Sequence, residues 1–261
     1  MMKVATIVPV PYLYHVMGQS YHLCLSHVVS ESEDYKEFYK QQAANGHFVV
    51  IDNGAAEGAC QPIEKVLANA LAIGAHELVL PDDIYDQKNT LQMLQHSYNY
   101  IWKDWKGQIM VVPQGETFKE WCDCTEQMFE WPVHCIGISK FITPKYKDEC
   151  RGKARLEAYK FVEELARGQE MDVHLLGCWD HPVEIAEIYS YACNSTVQSE
   201  VGLRGTDSAI AYVYAADNKA LLPAIPRPDL EVDFLNGNGA VDGYLLDANI
   251  RKWQLYCTGA L

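Results

Sequence analysis

Positive charge is scarce in this chain: 21 Lys and Arg stand against 35 Asp and Glu, a formal net charge of -14. That balance excludes a protein that coats nucleic acid through its overall charge, because phosphate contacts need clustered Lys and Arg. Long apolar runs are missing too. No segment approaches the roughly 18 apolar residues of a membrane span, and Met1–Tyr12 has neither a basic region nor a cleavage signal. A soluble, cytoplasmic protein with no membrane partner is expected. Paired cysteine motifs are also lacking. The nine Cys, an odd number, are scattered from Cys24 to Cys257, the pattern of reduced intracellular thiols rather than of a disulfide framework. Cys122-Asp-Cys124, followed by His134 and Cys135, does not make a zinc site. Both thiols lie in a helical pattern, where residues i and i+2 do not share a face. No metal is expected. There is no internal repeat and no low-complexity linker.

What is present is an alternation of short apolar runs with longer helical patterns. The runs predict strands over Val4–Val8, His47–Ile51, Glu77–Leu80, Gln108–Val112, His134–Ile138, Val173–Leu176 and Ser199–Leu203. Helices are predicted over Pro62–Ile73, Asn89–Trp102, Thr117–Glu130, Arg155–Arg167 and Val183–Ala192. Such an order builds βαβ units and a parallel sheet. An eighth strand is expected within Ala211–Ala215 or around Tyr244–Leu246. Polar residues end most of the runs: Asp52, Asp82 and Asp83, Gln114, Ser139 and Asp207. Strand ends converge on one face in a (β/α)8 barrel, whereas an open sheet gathers its ligands near one switch point. A TIM-type barrel, filling residues 1–261 as one domain, is therefore the expected fold, and the length matches the roughly 250 residues such barrels need.

Each motif has an ordinary reading beside the chemical one. Asp52-Asn-Gly-Ala-Ala-Glu-Gly58 is a tight turn and helix cap, or a carboxylate beside a Gly/Ala floor that admits a flat ligand. Pro81-Asp-Asp83 holds helix caps, or a carboxylate accepting from ring N–H groups. Gln114, before Gly115, is a turn residue, or a side chain that both donates to and accepts from a base edge. Cys135-Ile-Gly-Ile-Ser139 and His174-Leu-Leu-Gly-Cys-Trp179 carry Gly near a strand end, where backbone groups can meet a ligand or merely turn the chain. Asp207, after Gly205 and Thr206, pairs with Asp52 if both strands lie in one ring. One basic stretch breaks the acidic average: Lys140, Lys145, Lys147, Arg151, Lys153, Arg155 and Lys160. It is a solvated face, or a track for a phosphate backbone beside the acidic rim.

In this order, the six segments together resemble the tRNA-guanine transglycosylase family, a (β/α)8 barrel that exchanges guanine for a 7-deazaguanine. The likeness runs from about Asp52 to Ala211. It implies that Asp207 is the nucleophile and Asp52 the general acid/base. It further implies that Asn53, Asp82, Gln114, Gly137, Ile138, Ser139, Leu176 and Gly177 bind the base. Lys140, Lys145, Lys147, Arg151 and Lys153 would follow the nucleic-acid backbone, and no cofactor would be needed. The sequence departs from the family in lacking its motif of three close Cys and a later His, the Phe after the first glycines, and the Arg residues after the nucleophile. These departures resemble the compact phage-type enzymes that place 7-deazaguanines in DNA, so DNA is expected as the polymer, with a free preQ0-like base as second substrate. tRNA remains the alternative polymer. A barrel N-glycoside hydrolase using the same carboxylates, and a non-catalytic nucleic-acid-binding subunit, are the alternatives of a different kind.

Overall fold

A computed structural model describes residues 1–142, 151–178, 182–195, 200–223 and 225–260. Among them, eight parallel strands form one sheet in the order β1-β8-β7-β6-β5-β4-β3-β2. The strands are β1 (Lys3–Thr6), β2 (Tyr21–Leu25), β3 (Phe48–Asp52), β4 (Glu77–Val79), β5 (Gln108–Val111), β6 (Cys135–Ser139), β7 (Glu170–Leu176) and β8 (Glu200–Ser208). β1 and β2 meet at the seam. There the Gln19 carboxamide accepts from the Thr6 N–H at 3.1 Å and donates to Thr6 Oγ1 at 3.0 Å. The fold is the (β/α)8 barrel that the alternation predicts.

The helices outside the ring are α1 (Ser26–Glu31), α2 (Glu33–Ala44), α3 (Ile63–Ile73), α4 (Gln87–Ile101), α5 (Phe118–Met128), α6 (Arg151–Leu165), α7 (Val183–Asn194), α8 (Ile210–Ala216) and α9 (Gly243–Cys257). Their ends follow local chemistry. Thr117 caps α5, its side chain accepting from the Glu120 N–H while Glu120 reaches back to the Thr117 N–H, a reciprocal capping box. Pro62 precedes α3, and Gly74 ends it at φ +68°, where a β-carbon would be strained. Five strand positions, β3 to β7, agree with the sequence reading to within a few residues.

Three expectations need correction. The eighth strand lies neither in Ala211–Ala215 nor around Tyr244–Leu246; it is β2, Tyr21–Leu25. Ala211–Ala215 belongs to α8, a helix buried on all sides, and a short, wholly apolar run has no period to separate helix from strand. Tyr244–Leu246 opens α9, capped by Asp242, whose carboxylate accepts from the Tyr244 and Leu245 N–H groups. Finally, β8 extends five residues beyond the expected Leu203, pairing with β1 from Gly205 to Ser208. Asp207 is thus a strand residue opposite Ala5 and not a loop residue. Ser199, the expected first residue of that strand, lies outside the described residues.

The ring interior carries a polar layer low in the barrel. Arg204 makes a two-pronged ion pair with Glu77, at 2.9 Å (Nη1–Oε1) and 2.5 Å (Nη2–Oε2), and both side chains are buried. Gln108 and Asp172 add contacts to the same guanidinium at 3.3 and 3.4 Å. Between β7 and β8 the register slips: Val173 pairs with Leu203 but His174 pairs with Gly205, so Arg204 is the extra residue of a bulge. Side chains alternate along a strand, and an added residue resets the alternation. Arg204 and Asp207, three positions apart, therefore both turn inward.

Candidate active site

At the C-terminal ends of the strands lies a small pocket that is open to solvent. Asp52, Asn53, Glu57, Asp82, Ser139, Lys140, Leu176, Gly177 and Asp207 contribute to its wall, and Ile7, Leu23, Leu25, Ala55, Ala56, Ile84 and Val112 make the apolar remainder. A second, wider chamber adjoins it and shares Ile7, Ala56, Glu57, Lys140, Gly177 and Asp207; its far wall is the 227–235 segment.

Asp52 ends β3. Its Oδ2 accepts from the Gly54 N–H at 2.9 Å, while Asn53 Oδ1 accepts from the Ala55 N–H at 2.7 Å. Gly54 sits at φ +83°, and a β-carbon there would stand 2.8 Å from His27 Nδ1. The turn reading of this segment is met by these atoms, and the same segment lines the pocket. Burial drives the Asp52 carboxyl well above the usual carboxylate range, with further upward pressure from Glu57, Asp207 and Asp82 and only the Gly54 N–H opposing.

Asp82 follows β4 and is held from both sides. Asn53 Nδ2 donates to its Oδ1 at 2.7 Å, and Gln114 Nε2 donates to its Oδ2 at 2.6 Å. Burial pushes its carboxyl up to about 6 against the pull of these two donors. Each oxygen keeps a second lone pair, so a ligand N–H can still be accepted. Gln114 is buried, and its Oε1 accepts from the Tyr85 N–H at 3.1 Å. It braces Asp82 from behind and does not line the pocket.

Asp207 is buried on β8, with Oδ1 2.9 Å from His174 Nε2 and accepting from the Gly177 N–H at 3.3 Å. Gly177, at φ +69°, closes β7 so tightly that a β-carbon would meet Lys140 Cδ at 2.7 Å. The turn is fixed by Arg155, which is fully buried. Its guanidinium donates to the carbonyls of Gly177 at 2.9 Å and Ile138 at 3.0 Å and pairs with Glu184 at 3.1 Å.

The remaining sequence expectations divide. Ser139, Leu176, Gly177, Asn53 and Lys140 share the pocket with the three aspartates. Gly137 and Ile138 do not line it; a β-carbon on Gly137 would stand 2.7 Å from Leu176 Cδ1, so this glycine leaves room for the Leu176 side chain. Within the basic stretch, Lys153 is exposed, while Arg155 is a buried clamp and Lys160 pairs with Glu157 at 2.8 Å. Arg155, being buried, is not available to a polymer on the surface. α6 begins at Arg151, and Lys145 and Lys147 lie outside the described residues.

Sequence reasoning misses Glu57, His174 and Tyr21. Glu57 is legible only as a turn acid, yet it stands at the rim beside Asp52. His174 is mid-strand, and Tyr21 lies on the missed β2, its hydroxyl 2.9 Å from His174 Nδ1. No group of three or more His, Cys, Asp or Glu that could hold a metal ion occurs among the described residues. No helix among them is long and apolar enough to cross a membrane.

No protein-family model matches the chain, and no curated protein matches it. Solved structures do. A D-psicose 3-epimerase from Clostridium cellulolyticum H10, determined with D-tagatose, is 12% identical with a TM-score of 0.54, covering 98% of each chain. A D-psicose 3-epimerase determined in the presence of D-fructose is 11% identical with a TM-score of 0.52, covering 99% of this chain and 100% of the other. At such identities the likeness establishes a TIM-type barrel and nothing of its chemistry.

Proposed function

We propose that the protein is an enzyme that exchanges guanine in a nucleic acid, DNA in the first instance, for a free 7-deazaguanine base. The observation that carries this reading is the pairing of Asp52 and Asp207 on one small pocket whose inner wall holds Asp82. A nucleophile and a proton carrier are the two parts a retaining base exchange needs.

The target guanine must leave the helical stack to reach such a recess. Asp82, braced by Gln114 and Asn53, accepts from its N–H edge, and Leu176 and Val112 give the ring an apolar surface. Asp207 attacks C1′ as the C1′–N9 bond breaks, and the electron pair leaves with guanine, which takes the Asp52 proton. The product is an ester between Asp207 and C1′. The incoming base then yields its N9 proton to Asp52, its nitrogen attacks C1′, and Asp207 departs as carboxylate. Two inversions give net retention, and the glycosidic bond is conserved without ATP. Asp52 suits the proton-carrying role because burial and neighbouring acids favour its protonated form. DNA is the proposed polymer because the sequence lacks the family's Cys-rich zinc motif and the arginines after Asp207. Lys140, Lys145, Lys147, Arg151 and Lys153 are the proposed backbone contacts.

Incubation of the protein with radiolabelled preQ0 and either double-stranded DNA or tRNA tests the proposal. Label entering DNA with one guanine released per base incorporated supports it. Label entering tRNA alone would move the activity to that polymer, release of guanine without incorporation would make the protein a hydrolase, and neither event would refute exchange.

A further inference from the structure

Three side chains from three strands form a continuous hydrogen-bonded line inside the barrel. Tyr21 of β2 reaches His174 Nδ1 at 2.9 Å, and His174 Nε2 of β7 reaches Asp207 Oδ1 of β8 at 2.9 Å. We infer that His174 is a positioning residue: the Tyr21 hydroxyl donates to its Nδ1, which leaves the ring proton on Nε2, and that N–H holds Asp207 Oδ1 so that Oδ2 is presented to the pocket. This inference rests on Asp207 being the nucleophile.

The direction of the line follows from the donors available. A neutral imidazole has one N–H and one lone pair, and the partner of one nitrogen decides the state of the other. A proton on Nδ1 would leave the Nε2 lone pair 2.9 Å from a carboxylate oxygen, two acceptors face to face. A proton on Nε2 satisfies all three groups. Burial holds the imidazole below its ordinary range in spite of the Asp207 carboxylate, and Arg204 and Arg155 push the same way, so the neutral ring is favoured. Space for the pair is provided by Gly205, where a β-carbon would stand 3.2 Å from both His174 Nδ1 and Tyr21 Cε1. The Gly177 N–H, at 3.3 Å, is a second donor to the same Oδ1. Among the described residues Oδ2 receives no protein hydrogen bond, and it is the oxygen free to attack.

Two measurements on the full-length protein test this. In long-range 1H–15N spectra, His174 should show its proton on Nε2, and Tyr21→Phe should keep it there, because the Asp207 carboxylate still accepts from that nitrogen, while the Nδ1 resonance shifts as its donor is lost. In single-turnover exchange, His174→Leu should slow the chemical step roughly 10- to 100-fold, the effect of one hydrogen bond to a charged group, with KM changed less than about twofold. His174→Gln, which retains an N–H donor at the same reach, should recover part of the rate; if the leucine variant does not fold, Tyr21→Phe against wild type gives the same comparison with a smaller loss. A proton found on Nδ1, or equal rates for the Leu, Gln and wild-type proteins, would overturn the inference while leaving base exchange intact. A wild-type protein that exchanges no base yet carries the Nε2 proton would instead remove the proposed function, and with it the positioning role.

Discussion

Asp52 carries two opposed demands. The proposed role as proton carrier calls for burial, which favours the protonated form, and burial of an ionisable group weakens the fold whenever that group ionises. Its folded-state carboxyl titrates well above the ordinary value. The native state therefore binds more protons than the unfolded chain once the pH exceeds the normal carboxylate range, and stability falls as pH rises toward the folded value. Asp52→Asn removes that loss. The variant should melt at a higher temperature than wild type at pH 8 and show no such gain at pH 4 in thermal denaturation, while base exchange drops by about 100-fold or more, the scale of general acid–base catalysis. Gly177→Ala is expected to act through geometry instead, because φ +69° strains any residue with a β-carbon and the added methyl would push the Lys140 side chain out of its place in the pocket wall. It should lower the exchange rate more than it lowers thermal stability. Asp52, Asp82 and Asp207 are readable from sequence because each ends or follows an apolar run with a small residue beside it. His174 and Tyr21 are not, since a polar residue inside a strand carries no mark of whether it faces the barrel interior.

At the scale of the element, β8 does the most to build the site. Its bulge at Arg204 lets one strand turn two charged residues inward, Arg204 to Glu77 below and Asp207 to the pocket above. Breaking a buried ion pair from one side strands the other charge, at a cost of about 3–5 kcal/mol. Glu77→Gln should accordingly lose that much in urea unfolding, and the proposed site should suffer with it through β8. Bulges of this kind have no sequence signature, so an apolar run ending at Leu203 is legible whereas its continuation through Arg204 to Ser208 is not. The same limit hides β2: Tyr21-His-Leu-Cys-Leu25 has an aromatic and a histidine at its head and passes directly into α1, with no turn residue between them to mark the end. α3 and α5 are recovered well because Gly74, Pro62 and the Thr117–Glu120 box state their ends in residue types.

At the scale of the whole molecule, the proposed function asks an acidic chain to handle a nucleic acid, which requires its few cations to lie where the polymer would pass. Lys140 lines both chambers of the site, and Lys153 is exposed at the start of α6. Reversing both to Glu should weaken DNA binding and reduce the slope of affinity against salt by about one unit for each phosphate no longer neutralised, read by fluorescence anisotropy across a salt series. Closure of the ring is a second whole-molecule property. Trp253 of α9 is fully buried and its indole donates to the Ala5 carbonyl at 3.3 Å, tying the last helix to the strand that pairs with Asp207. Barrel class is readable from the strand–helix rhythm, since each strand repeats the same local pattern; the join between first and last elements depends on such distant interactions, which no local pattern records. The claim on which all else depends is that Asp207 becomes bonded to a sugar carbon. Trapping the protein on guanine-containing DNA, digesting it and mapping the adduct by mass spectrometry tests this directly. A nucleotide adduct on the peptide that contains Asp207, absent in Asp207→Asn, is the expected result, and an adduct of undiminished yield in Asp207→Asn would contradict it.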